Sequence, residues 1–362
     1  MPLHCTLNKE YKNCTFLDAE KNPSFEEARA VFLGVSFDAT TTYHKGADKG
    51  PQALLEASHQ IEFEPVLDSA ALNERVCMHN AGILEFPSNW KNGMLKEWSE
   101  NEVRAMAEGM VQEVQKACAP ALHAKKFLLM AGGEHSVANG IWKALAHLYN
   151  PEGITLLHVD AHLDLRDAYW NQKYCHGSVM ARAKEMGFQS VHTGIRDQIG
   201  VEEQEQVKKY ELRERIFYCA TQPKEFYARN ARALKKCAWM KKENLVWNGV
   251  LNALQMKKLL RAVATPYVWI SLDVDGFDSS VMPGTGTPLP YGMSLKGVED
   301  LLHAVIVHAR SKKITVLGMD LTELAPLMRD PEKPYSMSNA VSVQSEMNAA
   351  LLAHKVLQWM FT

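Results

Sequence analysis

The stretch "GITLLHVDAHLD" (153–164) joins an apolar run to three groups that can bind a cation, and it decides the fold. Side chains at alternate positions of an extended chain point to the same side. We therefore expect Asp160, His162 and Asp164 to face one point where the strand ends. A strand that is apolar along its whole length is typical of a parallel sheet covered by helices on both faces.

Four other apolar runs predict strands of the same kind. They are "AVFLGVSF" (30–37), "KFLLMAGG" (126–133), "YVWISLDVD" (267–275) and "KITVLGMDL" (313–321). Strands that alternate with helices predict a doubly wound α/β domain, with a mostly parallel central sheet in a three-layer α/β/α arrangement. We assign residues 30–362 to this single domain and residues 1–29 to an N-terminal extension.

Helical patterns lie between or after these runs. One helix is expected to begin with the capping box of Ser99 and Glu102, because both residue types occur at the spacing that satisfies free N–H groups. A second is predicted over about 137–149 and a third over about 344–360. The segment 198–262, rich in lysine and glutamate, is predicted to be mostly helix and loop.

The composition is that of an ordinary soluble globular protein. Hydrophobic residues make up 46% and charged residues 23% of the chain, and the formal net charge of −2 gives no reason to expect nucleic acid or an anionic membrane as a partner. The seven cysteines are scattered and odd in number, which favours reduced thiols. No signal peptide is recognisable, and no apolar run approaches the ~20 residues of a membrane span. We therefore expect a cytoplasmic protein.

Acidic and imidazole side chains follow the predicted strands where each strand ends. They are Glu134 and His135, then Asp160, His162 and Asp164, then Asp273, Asp275 and Asp278, and finally Asp320 and Glu323. Ligands bind beyond the carboxyl ends of the strands of an open parallel sheet, so these groups are expected to converge. Crowded carboxylates without a cation would repel each other and take up protons. Two divalent ions would balance four of these carboxylates, and such a donor set suits Mn²⁺, with Zn²⁺, Fe²⁺, Co²⁺ or Ni²⁺ as competitors.

Each motif also has a simpler interpretation. An isolated D-x-H-x-D is more often a solvated turn or an ion-paired strand end. The "GGEHS" stretch (132–136) could be a glycine turn in which Glu134 or Ser136 caps the next helix. The metal interpretation is favoured because all these motifs fall at the ends of separate apolar strands.

The motifs resemble those of a known family. "GGEHS" (132–136), "DAHLD" (160–164) and "SLDVDGFD" (271–278) are similar, in that order, to the three motifs of the ureohydrolases, which include arginase and agmatinase. The likeness covers roughly residues 30 to 360. It implies an arginase-like fold, a homo-oligomer (trimer or hexamer) and two Mn²⁺ per subunit. By this resemblance His135 and Asp164 hold one ion, His162 and Asp275 hold the other, and Asp160 and Asp273 bridge them.

The resemblance also implies a reaction. Two ions lower the pKa of a shared water, and the metal-bridging hydroxide attacks the guanidinium carbon to give urea and an amine. Glu323 is similar to the family's residue that holds the guanidinium N–H groups, although alone it could be a capping or ion-paired acid. His176 in "YCHGS" (174–178) matches the proton shuttle, although a histidine before glycine in a loop is more often structural. Asp164 could orient the hydroxide.

The substrate is less tightly specified than the reaction. The stretch 160–183 resembles agmatinases more than arginases, so we expect agmatine to be converted to putrescine and urea. Asp167, Tyr169 and Trp170 are candidates for binding the far amine. Ser279 and Ser280, the segment 325–342 and the long segment 198–262 depart from the family pattern. They leave guanidinobutyrate, guanidinopropionate, guanidine and arginine open as alternatives.

Other functional classes fit less well. A zinc deacetylase would need a tandem His-His, which does not occur in this chain. A catalytically silent, metal-binding regulatory relative would be expected to have lost ligands, and none is lost. A Ca²⁺ module is disfavoured because the set contains two imidazoles. The chain also has no phosphate-cradling or dinucleotide-binding glycine motif.

Overall fold

The computed structural model describes residues 5–8, 15–16, 21–61, 74–87, 90–91, 94–95, 98–237, 239–326 and 337–362. Within them, ten strands form one sheet with the order β1-β3-β2-β6-β12-β11-β7-β8-β9-β10, and β4 and β5 form a separate hairpin. The strands are β1 (Thr6–Asn8), β2 (Ala30–Ser36), β3 (Met78–Glu85), β4 (Trp90–Lys91), β5 (Met94–Leu95), β6 (Phe127–Ala131), β7 (Ile154–Val159), β8 (Gln189–Ile195), β9 (Ile216–Cys219), β10 (Leu245–Val246), β11 (Tyr267–Asp273) and β12 (Thr315–Thr322).

Helices cover both faces of this sheet. They are α1 (Gly50–Ser58), α2 (Glu100–His123), α3 (Ala138–Leu148), α4 (Val179–Glu185), α5 (Val201–Lys209), α6 (Lys224–Arg229), α7 (Ala231–Lys236), α8 (Ala253–Ala262), α9 (Leu295–Lys312) and α10 (Met337–Phe361). One buried core joins α1, α8, α9 and α10 to the sheet, and a second joins α2, α3, α4 and α5 to it. The predicted three-layer fold is confirmed, and among the described strands of the main sheet β1 alone runs antiparallel to its neighbour.

The four predicted strands that end in polar groups are neighbours at the centre of the sheet. They occur in the order β6-β12-β11-β7. The register pairs Ala131 with Leu321, Asp273 with Thr322, and Leu272 with Val159, so the four strands end at nearly the same level. Because all four run parallel, the residues that follow them emerge at one edge of the sheet.

Helix α2 begins as its sequence predicts. The Ser99 hydroxyl accepts a hydrogen bond from the Glu102 N–H, and the Glu102 carboxylate accepts one from the Ser99 N–H. Helix α3 also matches its prediction, whereas α10 begins at Met337, several residues before the predicted start. No helix in the described part of the chain is both long enough and apolar enough to cross a bilayer.

The prediction for residues 198–262 is incomplete. This segment contains the short parallel strands β9 and β10, which extend the sheet beyond β8, in addition to α5 to α8. Four and two residues are too short for a periodic pattern, and the pairing with β8 supplies the order that the local sequence lacks. Of the segment 325–342, residues 327–336 lie outside the described residues.

Candidate active site

The six side chains predicted as metal ligands meet at the edge of the sheet in two overlapping groups. In the first, His135 Nδ1 lies 3.2 Å from Asp160 Oδ2, 3.1 Å from Asp164 Oδ2 and 3.4 Å from Asp273 Oδ2. His135 is fully buried at the start of the turn that leads from β6 into α3. The group therefore combines one imidazole with three carboxylates from two other strand ends.

The second group surrounds His162. Its Nδ1 lies 3.0 Å from Asp275 Oδ2 and 3.4 Å from Asp160 Oδ1. Asp160 thus presents one carboxylate oxygen to each group, which is the arrangement of a carboxylate between two cations. His135, Asp160 and Asp164 form one spatial cluster of potential metal ligands with His158, and Asp160, His162 and Asp275 form the second. Asp273 adjoins the first cluster through its contact with His135.

The donor set fits a pair of cations. His135 Nδ1 and Asp160 Oδ2 are buried and lie 3.2 Å apart, and within the described residues their contacts with neighbouring imidazoles and carboxylates are not hydrogen bonds of regular geometry. Burial and the nearby charges of Asp275 and Asp160 raise the pKa of Asp273 well above its usual range. A buried cluster of this kind either takes up protons or is neutralised by cations, and its imidazoles and carboxylates suit divalent transition ions.

Two site residues occupy the left-handed region of backbone conformation. Asp164 has a φ of 53° and Glu323 a φ of 63°, a conformation that non-glycine residues rarely adopt. The turn at Asp164 is held because its carbonyl oxygen accepts the N–H groups of Met180 and Ala181 at the start of α4, both at 3.0 Å. These hydrogen bonds tie the end of the "DAHLD" stretch to the start of α4, and the Asp164 carboxylate lies in the cluster.

Glu323 follows β12 and lines the cavity above the cluster. Its Oε1 accepts the His135 N–H at 2.7 Å, and its own N–H donates to the Gly133 carbonyl oxygen at 2.8 Å. Burial and the nearby charge of Glu134 raise its pKa well above the usual range. One carboxylate oxygen is thus anchored to the backbone, on a side chain that faces the cavity.

His176 also lines the cavity. Its Nδ1 lies 3.4 Å from the Thr40 hydroxyl, and its ring packs edge to face on Tyr169 with the ring centres 5.6 Å apart. Burial lowers the pKa of His176 to about 4, so its imidazole is neutral at physiological pH. The histidine is therefore fixed by a hydroxyl on one side and an aromatic ring on another.

Glu134 fastens the loop after β2 to the site. Its buried carboxylate accepts the Thr40 N–H at 2.9 Å and the hydroxyls of Thr40, Thr41 and Ser136. The side chain makes no capping bond to the helix that follows, so the capping alternative is wrong for Glu134. The segment that contains Glu134 and the loop after β2 also touch directly, because a Cβ on Gly133 would lie 1.8 Å from the Phe37 carbonyl oxygen.

The three candidates for the far amine have different positions. Tyr169 lines the cavity, whereas Asp167 and Trp170 do not. The Asp167 carboxylate accepts a hydrogen bond from Arg182 at 2.9 Å, and the Trp170 side chain is 69% exposed. The structure therefore brings Tyr169 alone of the three to the cavity.

The sequence predictions assign no role to Arg196, which follows β8 in the "GIR" stretch (194–196). Its side chain is buried and its guanidinium donates hydrogen bonds to six carbonyl oxygens. They belong to Gly194, Asp275, Gly276, Phe277, Leu289 and Pro290. Because Asp275 is among them, Arg196 fixes the backbone of a candidate metal ligand. The available signal was the "GIR" stretch itself, which resembles a mid-chain motif of the ureohydrolases.

Comparison with known proteins agrees with this geometry. The model of the arginase family matches residues 28–353, which is most of the chain. The chain belongs to the arginase family. An N(1)-aminopropylagmatine ureohydrolase of Thermus thermophilus is 35% identical over 85% of the chain and 86% of that protein. An agmatinase of Bacillus cereus is 29% identical over 89% of the chain and 91% of that protein.

Solved structures of arginase-family members share the fold. The agmatine ureohydrolase of Thermoplasma volcanium is 22% identical and has a TM-score of 0.62, over 96% of this chain and 94% of that one. The arginase of Bacillus caldovelox is 18% identical and has a TM-score of 0.60, over 91% and 98%. The predicted family, the arginase-like fold and the class of hydrolase acting on amidino C–N bonds are thereby confirmed. The family depends on a binuclear metal centre, and the histidine–aspartate cluster is a candidate for it.

Proposed function

We propose that this arginase-family hydrolase cleaves the guanidinium group of a linear guanidinoalkylamine, giving urea and the corresponding amine. The substrate we propose is agmatine, with putrescine, a polyamine precursor, as the second product. The observation that carries the proposal is the position of Glu323. Its carboxylate lines one cavity together with His162, Asp164, Asp273 and Asp275. A guanidinium group held by this acid would present its carbon to the candidate metal cluster.

We propose that His135, Asp160, His162, Asp164, Asp273 and Asp275 hold two Mn²⁺ ions. When bound, the ions supply the Lewis acidity that makes a water molecule nucleophilic at neutral pH. The chain's own residues then have distinct tasks. Glu323 accepts N–H groups of the guanidinium and fixes its plane, which converts binding into orientation. Asp164 accepts a hydrogen bond from the nucleophile and so aims its lone pair.

His176 completes the proton balance. Water adds to the guanidinium carbon, the bond from that carbon to the alkyl-bearing nitrogen breaks, and this nitrogen must gain a proton to leave as an amine. The neutral imidazole of His176, fixed by Thr40 and Tyr169, can take up a proton and deliver it to the leaving nitrogen. Tyr169 also covers one side of the cavity.

The N1-aminopropyl derivative of agmatine is a second candidate substrate. It is favoured by relatives that bear its name, including the Thermus protein at 35% identity. Both molecules share the guanidinobutyl group that would contact Glu323 and the cluster, and they differ in what extends toward the cavity mouth.

A urea-release assay on the Mn²⁺-loaded protein tests the proposal. The panel contains agmatine, N1-aminopropylagmatine, arginine, 4-guanidinobutyrate, 3-guanidinopropionate and guanidine. We expect kcat/KM to be higher for at least one of the two guanidinoalkylamines than for the others, by roughly 100-fold. Turnover of arginine alone would refute the substrate assignment. Loss of all turnover in the Glu323→Gln variant, with metal content unchanged, is expected if this acid orients the guanidinium.

We further propose that the enzyme acts in the cytoplasm as a homo-oligomer, a trimer or hexamer. Reduced thiols support the compartment, since all six cysteines among the described residues are free. The family resemblance alone supports the assembly. Metal analysis of the purified protein and light scattering in solution test the ion and the oligomer.

A further inference from the structure

The active-site cavity is lined by six acidic side chains, and five of them already have partners. Asp164, Asp273 and Asp275 belong to the candidate metal cluster, and Glu323 is bonded to the His135 N–H. The fifth is Glu203, whose carboxylate contacts the N–H groups of Leu165 and Gly200. The sixth is Asp197, which the proposed reaction does not use.

Asp197 differs from the other five in exposure. Its side chain is 43% exposed, whereas the other five residues are all buried. Its backbone is nonetheless fixed, because its N–H donates to the Ala161 carbonyl oxygen at 3.2 Å and its own carbonyl oxygen accepts the Tyr218 hydroxyl at 3.4 Å. A rigid backbone thus holds a solvated carboxylate in the outer part of the cavity.

Asp197 lacks a lysine or arginine partner in the described part of the chain. Its one ion-pair contact there is with His162, whose Nε2 lies 3.7 Å from the Asp197 Oδ2. The carboxylate therefore keeps most of its charge available to a group that enters from solvent. A primary ammonium group is the matching partner.

Arg166 is the cavity cation that could select a carboxylate substrate instead. Its Nε lies 4.0 Å from Glu203 Oε2, and its guanidinium stacks over the Tyr169 ring at 4.6 Å from the ring centre. Its charge is therefore matched by a buried acid and its flat face is covered by an aromatic ring. Outside the metal cluster and Glu323, which is assigned to the guanidinium, the unmatched charge of the cavity is the negative charge of Asp197.

We infer that Asp197 forms the subsite for the ammonium group at the far end of the substrate. This inference deepens the proposed function and rests on it. Glu323 holds the guanidinium at the floor of the cavity, and Asp197 selects chains that carry a second positive charge toward the mouth. The subsite takes the role that the sequence assigned to Asp167, which Arg182 already engages.

The competing role for Asp197 is to orient His162. A carboxylate that contacts the outer nitrogen of a metal-binding imidazole typically fixes the ring, and its loss weakens metal binding and turnover for every substrate. A subsite for the far amine has a different signature, because its loss affects only substrates that carry the amine.

The test compares agmatine with n-butylguanidine, which has the same four-carbon chain and no amine. In Asp197→Asn we expect KM for agmatine to rise about 10- to 100-fold, with kcat for both substrates and KM for n-butylguanidine nearly unchanged. Asp197→Lys should accept 4-guanidinobutyrate in preference to agmatine. Asp167→Asn is the matched control, since this acid lies outside the cavity, and its preference should equal that of the wild type.

A measurement on the wild type guards against misfolded variants. Butane-1,4-diamine should inhibit hydrolysis of n-butylguanidine at least about tenfold more strongly than n-butylamine does. Equal inhibition by the two amines would overturn the inference, and so would an equal loss of kcat on both substrates in Asp197→Asn accompanied by loss of metal. If the wild type hydrolysed arginine alone, the proposed function would fall as well. If it hydrolysed agmatine and Asp197→Asn kept the same preference, this inference alone would fall.

Discussion

The Nδ1 atoms of His158 and His192 lie 2.9 Å apart in the interior of the sheet. The outer nitrogen of His158 lies 2.9 Å from Asp160 Oδ2, and the outer nitrogen of His192 lies 2.9 Å from the Ser190 hydroxyl. All four residues are fully buried. Only one of the two Nδ1 atoms can carry the hydrogen between them. If the outer nitrogen of a neutral His158 carries a proton toward Asp160, the Nδ1 of His158 must accept a hydrogen bond from the Nδ1 of His192. The outer nitrogen of His192 then accepts a hydrogen bond from the Ser190 hydroxyl.

This chain of contacts predicts that His192 acts on metal binding from a distance. The His192→Ala variant leaves His158 Nδ1 without its partner, which frees the ring that contacts Asp160. We expect the Mn²⁺ dissociation constant to rise about 10- to 100-fold, as for other residues behind metal ligands. Calorimetric titration of the metal-free protein measures it. The exposed His147→Ala variant is the control, and equal dissociation constants for both variants would contradict the prediction.

Removal of the metal is expected to change how stability depends on pH. Burial and nearby negative charges raise the pKa of Asp273 well above the ordinary carboxyl range. The folded, metal-free protein therefore holds a proton that the unfolded chain has released, so the free energy of unfolding falls as pH rises from the ordinary carboxyl range to the raised pKa. The slope is about 1.4 kcal/mol per pH unit for one such proton.

Urea denaturation at several pH values, with EDTA or with Mn²⁺, measures this dependence. With metal bound the carboxylate is ionised in both states, and we expect the slope to disappear. Identical pH profiles with and without metal would show that the cluster does not hold the ions.

The Thr40 hydroxyl links the loop after β2 to His176. Thr40→Val removes the hydroxyl that Glu134 accepts and that lies 3.4 Å from His176 Nδ1. We expect kcat to fall about tenfold because His176, the proposed proton shuttle, loses its position, and we expect the free energy of unfolding to fall by about 1 kcal/mol. Thr40→Ser keeps the hydroxyl and should retain most of kcat. A Thr40→Val enzyme with wild-type kcat would separate this loop from catalysis.

Arg196 is expected to stabilise the fold and to hold the backbone of the candidate metal ligand Asp275. Arg196→Lys replaces a planar group that donates to six carbonyl oxygens with one ammonium that has three donors. The unfolding free energy should fall by about 2–4 kcal/mol, since several buried carbonyl groups lose their partner. Urea denaturation compares it with the exposed Arg232→Lys, for which no change is expected. Equal denaturation midpoints for Arg196→Lys and Arg232→Lys would contradict the proposed role of Arg196.

The central part of the fold could be predicted because its strands are apolar along their length and are followed directly by polar residues. His135 and Asp275 are 140 positions apart in the chain, yet parallel pairing puts the ends of β6, β12, β11 and β7 at one edge. Convergence of the ligands followed from that rule alone. Strands β9 and β10 carry no comparable signal, because their pairing partner defines them.

The residue for the far amine could not be predicted by proximity in the chain. Asp167 lies three positions after Asp164, and its neighbours Arg166 and Tyr169 line the cavity, but its own carboxylate accepts a hydrogen bond from Arg182 outside it. Asp197 is 33 positions after Asp164 and reaches the cavity because β8 is the neighbour of β7. The pairing of β7 with β8 decides which acid reaches the cavity, and a single sequence does not show which strands are neighbours.

The distribution of the candidate ligands over β6, β7 and β11 also determines when, during synthesis of the chain, a complete metal site can form. Asp275 is synthesised 140 positions after His135, and Glu323 later still. A nascent chain on the ribosome therefore possesses the first four ligands while the strand that completes the sheet between them is still to be translated. We therefore expect the proposed metal ions to enter a scaffold that has already assembled rather than to guide the early stages of its folding, so cells short of the metal should accumulate folded apoenzyme that can be activated later.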